Sequence, residues 1–325
     1  MAFSADQLLE KVNTYLATMP YVREPKGLYA PIEYVLSLGG KRIRPVLMLL
    51  SYQLYKENVD DILPQAAGIE TYHNYTLLHD DLMDRADMRR NKPTVHKVWD
   101  ENTAILSGDA MLVLAYRLMN NCPERYLKQV MDIFSQTALE ICEGQQWDME
   151  FETRNDVTVP EYMEMIRLKT SVLLSAALKI GAVLGGASED DARKLYDFGI
   201  KMGLAFQLQD DYLDVYGDSK VFGKNIGGDI LCNKKTFMLI NALALADGIQ
   251  RKELEKWIAS IAFCPEEKIK AVTALYDKIG IGGICEEKIN AYYVEGLSLL
   301  ESMAVPSERK EELKSFVCHL MNRKV

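Results

Sequence analysis

ARKLYDFGIKMGLAFQLQDDYLDVYG (residues 192–217) decides the fold class. It is rich in Ala, Leu, Met and Lys, which favour helix, and its apolar residues recur at three- and four-residue spacing. NTAILSGDAMLVLAYRLMN (102–120) reads the same way. Period-two runs of β-branched residues are nearly absent, and the ten prolines are spread along the chain. The expectation is an all-α fold of about a dozen helices, most of them three to four turns long. The end of the opening stretch carries a second message: Asp210, Asp211 and Asp214 crowd into five residues after an apolar lead-in.

With 325 residues, 48% hydrophobic and 26% charged, the chain has ample material for a core. A formal net charge of -9 argues against a long basic groove for nucleic acid and against a membrane surface bound through basic charge. Six cysteines without a CxxC pair read as reduced thiols in a cytoplasmic protein. The first residues show no signal peptide. The most apolar run, LSAALKIGAVLGG (174–186), holds a lysine and several glycines and falls short of a span. Breaks at LSLGGKRIRP (36–45), RRNKPTVH (89–96), FETRNDVTVPEY (151–162) and GDSKVFGKNIGGDILCNKKT (217–236) are short, and no linker separates domains. A single domain over 1–325 is expected, as a helical bundle around a large central cavity.

LLHDDLMD (77–84) repeats the pattern of QLQDDYLD (207–214). On a helix, Asp80 and Asp84 lie one turn apart on one face and Asp81 sits about 100° round. Asp210, Asp214 and Asp211 share that geometry. Carboxylates emerging from a core are costly unless a cation offsets them, and Mg²⁺ suits an oxygen-only set because it fills its octahedron with water and phosphate. The competing reading of either cluster is a solvated acidic face. Asp87, off the shared face, reads as a solvated or loop residue. Basic residues decide between these readings: Lys41, Arg42 and Arg44 in GGKRIRP, then Arg89, Arg90, Lys169, Lys224, Lys234 and Lys235. Cations of these two kinds bind phosphate, Arg as a planar fork and Lys as a point charge. Two acidic clusters with such cations describe a site for diphosphates. His79, beside Asp80, suggests a His-Asp phosphohydrolase, but the chain has four histidines in all. A packed, hydrogen-bonded His79 is preferred.

GGKRIRP (39–45), HNYTLLHDDLMDRADMRRNKPTVH (73–96), EGQQWDME (143–150), RLKTSVLL (167–174), FQLQDDYLDVYGD (206–218) and GKNIGGDILCNKKT (223–236) together resemble the trans-isoprenyl diphosphate synthases, the polyprenyl synthetase family. The resemblance implies an all-α bundle around a deep cavity, usually a homodimer. It implies Mg²⁺-dependent condensation of isopentenyl diphosphate with an allylic diphosphate (dimethylallyl, geranyl or farnesyl). Three Mg²⁺ ions are expected with diphosphate bound: two on Asp80 and Asp84, supported by Asp81, and a third on Asp210, with Asp211 and Asp214 as outer partners. Arg89, Lys169 and Lys224 would grip the allylic diphosphate, with Lys234 nearby. Lys41, Arg44, His73 and Arg90 would bind isopentenyl diphosphate. Thr170 and Gln207 would line the reacting carbons, and Gln145 and Asp148 would back them. Asn233 departs from the glycine the family often has before its lysine pair.

In this family the product grows toward residues one turn before the first aspartate. Here these are Tyr75 and Thr76. Family members with aromatics at both positions tend to stop at C15, and a single aromatic with no insertion in DDLMD resembles C20 producers, so a short product, C15 or C20, is expected. Two other functions share the fold: a longer-chain synthase and a terpene cyclase. GGKRIRP and Arg90 argue against a cyclase, which has no second substrate. A non-catalytic subunit of a synthase complex is disfavoured by two complete aspartate motifs.

Overall fold

The structure, a computed structural model, describes residues 3–21, 23–217 and 226–321. It is all-α. In chain order run α1 (Ala5–Thr18), α2 (Lys26–Ser37), α3 (Ile43–Gln53), a 3-10 turn (Val59–Ile62) and α4 (Leu63–Met83). A hairpin of two-residue strands follows, β1 (Met88–Arg89) and β2 (Lys92–Pro93), then α5 (Val95–Val98), α6 (Glu101–Met119) and α7 (Glu124–Thr153). Next come α8 (Val159–Ile166), a π turn (Arg167–Ser171), α9 (Val172–Gly185) and α10 (Glu189–Tyr216). The last elements are α11 (Gly228–Leu231), α12 (Phe237–Leu245), α13 (Gly248–Ala259), α14 (Pro265–Ile279), α15 (Ile281–Glu301) and α16 (Ser307–Met321). All of the hairpin but Met88 lies in RRNKPTVH, which the sequence marked only as a break. Residues 217–236, read as irregular, contain the single turn of α11.

Local chemistry starts several helices. Ser4 with Gln7, Thr158 with Glu161 and Asp247 with Gln250 form reciprocal capping boxes, each satisfying backbone N–H groups that the first turn leaves open. The chain clusters into two compact units. One comprises 1–136, 176–196 and 304–313. The other comprises 137–175, 197–303 and 314–325. In the first unit α4 is the central element: every residue from Gln65 to Tyr72 is buried, and α1, α2, α3 and α6 pack on it. A helix covered on all sides has no need of an amphipathic pattern. In the second unit the core is built from Leu208, Met238, Leu254, Val272, Leu275, Ile281 and Cys285. There α12 packs against α8, α14 and α15.

The helical stretch Val159–Gly185 is long and apolar enough to cross a membrane by length and composition, which the apolar run taken alone did not suggest. Its most apolar window is 83% buried inside the protein, so these residues supply core.

Candidate active site

In the first unit, α3 begins from an unusual residue. Arg42, its N-cap, has φ 47, a left-handed conformation that bulky residues rarely take. Its side chain turns inward. Nη1 donates to Glu70 Oε1 at 2.6 Å, Nη2 to the Leu36 carbonyl at 2.7 Å and Nε to Asn13 Oδ1 at 3.3 Å. Asn74 on α4 also donates to Glu70, at 2.9 Å. This pair is sealed, with side chains 3% and 2% exposed, so neither partner is available to a ligand.

Two residues further, Arg44 Nη1 lies 3.0 Å from His73 Nε2. Arginine can only donate, so Nε2 accepts and the proton sits on Nδ1. Burial pushes the His73 pKa well down, and Arg44, Arg90, Arg89 and Arg42 add to the effect. The ring is therefore neutral near pH 7. Burial also lowers Arg44, to about 10, which leaves it charged. Its Nε is buried and without a protein partner. Arg90, at φ 51, donates to the Gly39 carbonyl. Gly40 must stay glycine: its φ is 138, and a Cβ would fall 2.8 Å from the Arg90 guanidinium carbon. Arg44, Arg90 and His73 are thus gathered beside the glycine turn, with a guanidinium nitrogen in hand for an anion. Lys41 projects from the same turn and is exposed.

The first aspartate cluster closes α4. Asp80 and Asp81 sit in its last turn and Asp84 is its C-cap. This is the negative end of the helix dipole, where carboxylates are disfavoured. Asp81 is buried; its Oδ2 accepts from Arg89 Nε at 2.7 Å, while its Oδ1 is buried with no partner. Asp87 points outward to Lys97 at 2.8 Å, a solvated pair as expected. His79 is packed as preferred, Nε2 3.3 Å from the Ile105 carbonyl. Tyr75 stacks edge-on to His79 at 4.8 Å and lies 5.4 Å from the ring of buried Tyr72. Tyr72 in turn meets Phe134, and Phe134 meets Tyr116, at 5.2 and 4.9 Å. Thr76 turns its hydroxyl back to the His73 carbonyl.

The second cluster, in the second unit, also sits near a helix C-terminus, in the last two turns of α10. Asp211 is buried and accepts from the Tyr162 hydroxyl and, at 3.3 Å, from Gln207 Nε2. Burial pushes its pKa up to about 7; the two hydrogen bonds and Lys234 pull the other way, and Asp229 adds to the rise. Asp214 Oδ2 accepts the Asp229 N–H at 3.0 Å, and its carbonyl accepts from Gly227. The same gathering includes Gln207 Oε1, which accepts from Thr170 at 3.3 Å. Lys169 binds Asp148 Oδ2 at 2.6 Å. Burial alone would raise Asp148, yet Lys234 and Lys169 hold it below the usual range. Lys169 and Thr170 lie on the π turn, a wider coil that rotates them relative to α8 and α9 and that recurs at functional sites. Gly144 permits it: a Cβ there would fall 2.4 Å from the Lys169 nitrogen. Gln145 has a buried Oε1 with no protein partner.

Lys224 lies outside the described residues, as do Arg323 and Lys324. Sequence reasoning missed Glu70 and Tyr162, which hold site residues without matching any polar pattern of their own. It missed the π turn because a single added residue leaves no composition signal.

Among the described residues no three His, Cys, Asp or Glu side chains converge on a point able to hold a metal by themselves. Mg²⁺ does not need such a cage, since one or two carboxylates with water and phosphate oxygens suffice. The residues present fit it: all donors are oxygens, and Asp81 keeps a buried oxygen without a hydrogen-bond partner beside the one that accepts from Arg89.

A model of the polyprenyl synthetase family matches residues 25–276. The chain belongs to the polyprenyl synthetase family. Within this family it is 46% identical over 224 residues to a geranylgeranyl diphosphate synthase of Methanosarcina mazei, covering 68% of this chain and 69% of that one. It is 41% identical over 273 residues to a short chain isoprenyl diphosphate synthase of Methanocaldococcus jannaschii, covering 84% and 83%. A crystal structure of a geranylgeranyl pyrophosphate synthase superposes with a TM-score of 0.92 at 44% identity, over 99% of this chain and 98% of that one.

Proposed function

We propose that this polyprenyl synthetase family member is a prenyltransferase that joins isopentenyl diphosphate to an allylic diphosphate (dimethylallyl, geranyl or farnesyl). The product is a short-chain trans-prenyl diphosphate, C15 or C20. The observation that carries the reading is the repeated DDxxD cluster, each copy at a helix C-terminus and each beside a cation: Arg89 for the first, Lys234 for the second. Clusters placed at the negative end of a helix dipole gain most from a bound cation. When bound, Mg²⁺ (three ions, in our reading, on Asp80, Asp84 and Asp210) supplies charge stabilisation for the departing diphosphate.

The chain's own residues do the rest. Arg89, Lys169, Lys224 and Lys234 hold the allylic diphosphate so that the C1–O bond breaks toward fixed positive charge. Lys41, Arg44, His73 and Arg90 hold isopentenyl diphosphate; neutral His73 accepts from Arg44 and so aims its guanidinium. The isopentenyl double bond forms the new C–C bond to C1, and a proton leaves to the released diphosphate. Thr170 and Gln207, bonded to each other, present oxygens to the allylic cation without capturing it. Tyr75 limits growth, backed by the Tyr72–Phe134–Tyr116 aromatic layer. We take the enzyme to be one domain, cytoplasmic and homodimeric. Leu106 and Val113, seven apart on α6 and each about 60% exposed, supply an apolar face for a second copy.

The test is purified protein with Mg²⁺, isopentenyl diphosphate and the C5, C10 and C15 allylic diphosphates in turn, products being identified by mass. A C15 or C20 prenyl diphosphate is expected. Cyclic hydrocarbon without consumption of isopentenyl diphosphate would make it a cyclase, and no turnover would overturn the reading.

A further inference from the structure

Lys268, in the first turn of α14, is 1% exposed and lies outside every motif discussed so far. Among the described residues no carboxylate bonds to it. Its ammonium donates to Asn233 Oδ1 at 2.7 Å and to the Leu231 carbonyl at 3.3 Å, and it sits 4.2 Å over the Phe263 ring. A buried lysine without an acid is costly to keep, and a methionine-like side chain would fill the same space without that cost. What the charge holds is a strained joint. Asn233 has φ 53, a conformation asparagine tolerates better than most residues but less well than glycine. Its amide nitrogen donates to the Ile258 carbonyl at the end of α13 at 3.1 Å, so both ends of its side chain are tied. The Leu231 carbonyl is one that the end of α11 leaves open, where a cation is favourable.

The next residue is Lys234. Its N–H donates to the Asp229 carbonyl at 2.9 Å, and Asp229 N–H in turn donates to Asp214. Lys234 is close enough to lower both Asp148 and Asp211. The segment 227–236 is therefore anchored at one end by the second aspartate cluster and at the other by Lys268. We propose that Lys268 is a positioning residue: it clamps Asn233 in its left-handed turn and so aims Lys234 at the allylic diphosphate site. This also accounts for an asparagine standing where the family often has glycine. Glycine needs no clamp, whereas asparagine supplies both the turn and the acceptor. The proposal rests on the diphosphate role of Lys234 proposed above.

Lys268→Met keeps the stem and removes the donors. Expected are amide hydrogen exchange at least 10-fold faster in residues 231–236, with α15 and α16 unchanged, and an allylic diphosphate KM raised about 5- to 10-fold. The isopentenyl diphosphate KM should not move, and kcat should move less than about 2-fold. Adding Asn233→Gly should restore the KM, because glycine holds the turn unaided. If Lys268→Met is too unstable to purify, Asn233→Ala breaks the same contact and should give the same local loosening. Unchanged exchange at 231–236, exchange raised evenly throughout, or failure of glycine to rescue would each overturn the clamp. Lys234→Met separates the two readings. If it leaves the allylic KM unchanged, the diphosphate role of Lys234 fails, while the exchange result still judges Lys268.

Discussion

The two aspartate clusters share one spacing and sit in different environments. LLHDDLMD ends α4, and its middle aspartate, Asp81, is paired with a cation, Arg89, while one of its oxygens stays unpaired. QLQDDYLD ends α10, and its middle aspartate, Asp211, is buried against neutral donors, Tyr162 and Gln207, and is pushed up to about 7. The third residues differ as well. Asp84 is exposed at a helix cap, whereas Asp214 is buried and spent on the Asp229 backbone. The same local pattern thus presents open oxygens in one unit and a mostly committed set in the other. Spacing brings carboxylates onto one helix face; the packing around that face decides how much of each remains for a ligand.

The comparison can be broken at its strongest point first. Asp80→Ala and Asp210→Ala should each cut turnover by about 10³-fold or more, with helical circular dichroism intact. If Asp210→Ala retained most activity, the second cluster would be structural and the likeness only one of sequence. Next, Tyr75→Ala should shift the product to longer chains by mass spectrometry, because an aromatic side chain leaves the wall in front of Tyr72. An unchanged product would move the floor elsewhere. The smallest effect concerns stability. Tyr162→Phe leaves a buried carboxylate short of a donor and should cost about 1–3 kcal/mol in urea unfolding. Arg89→Leu, whose side chain is one-third exposed, should cost about 1 kcal/mol or less. Equal losses would mean that the two middle aspartates are embedded alike.

Much of this was legible beforehand. The helices follow from composition and periodicity, and the residues of both clusters from their spacing. Asp87 as a solvated residue follows from its position off the shared face, and His79 as a packed one from the shortage of further histidines for a His-Asp metal site. Other features were not legible. Arg42 reads as one more cation of GGKRIRP, but its left-handed backbone sends it to Glu70, and Arg44 alone of the two arginines faces His73. Nothing in the sequence marks the π turn that carries Lys169 and Thr170 and that Gly144 makes possible. Asn233 reads as a departure from a glycine, and nothing in PEEKIK sets Lys268 apart in the sequence. They meet each other.

By itself the sequence determined the helical class, the family and the candidates for the chemically active side chains. Those depend on residue type and on spacings of a few residues, which the covalent chain sets. The tertiary structure alone decided which charges are spent. Whether a guanidinium or carboxylate is sealed in an ion pair, tied to a backbone N–H or left open depends on partners tens of residues away. The cost of burying a charge makes that choice all or none.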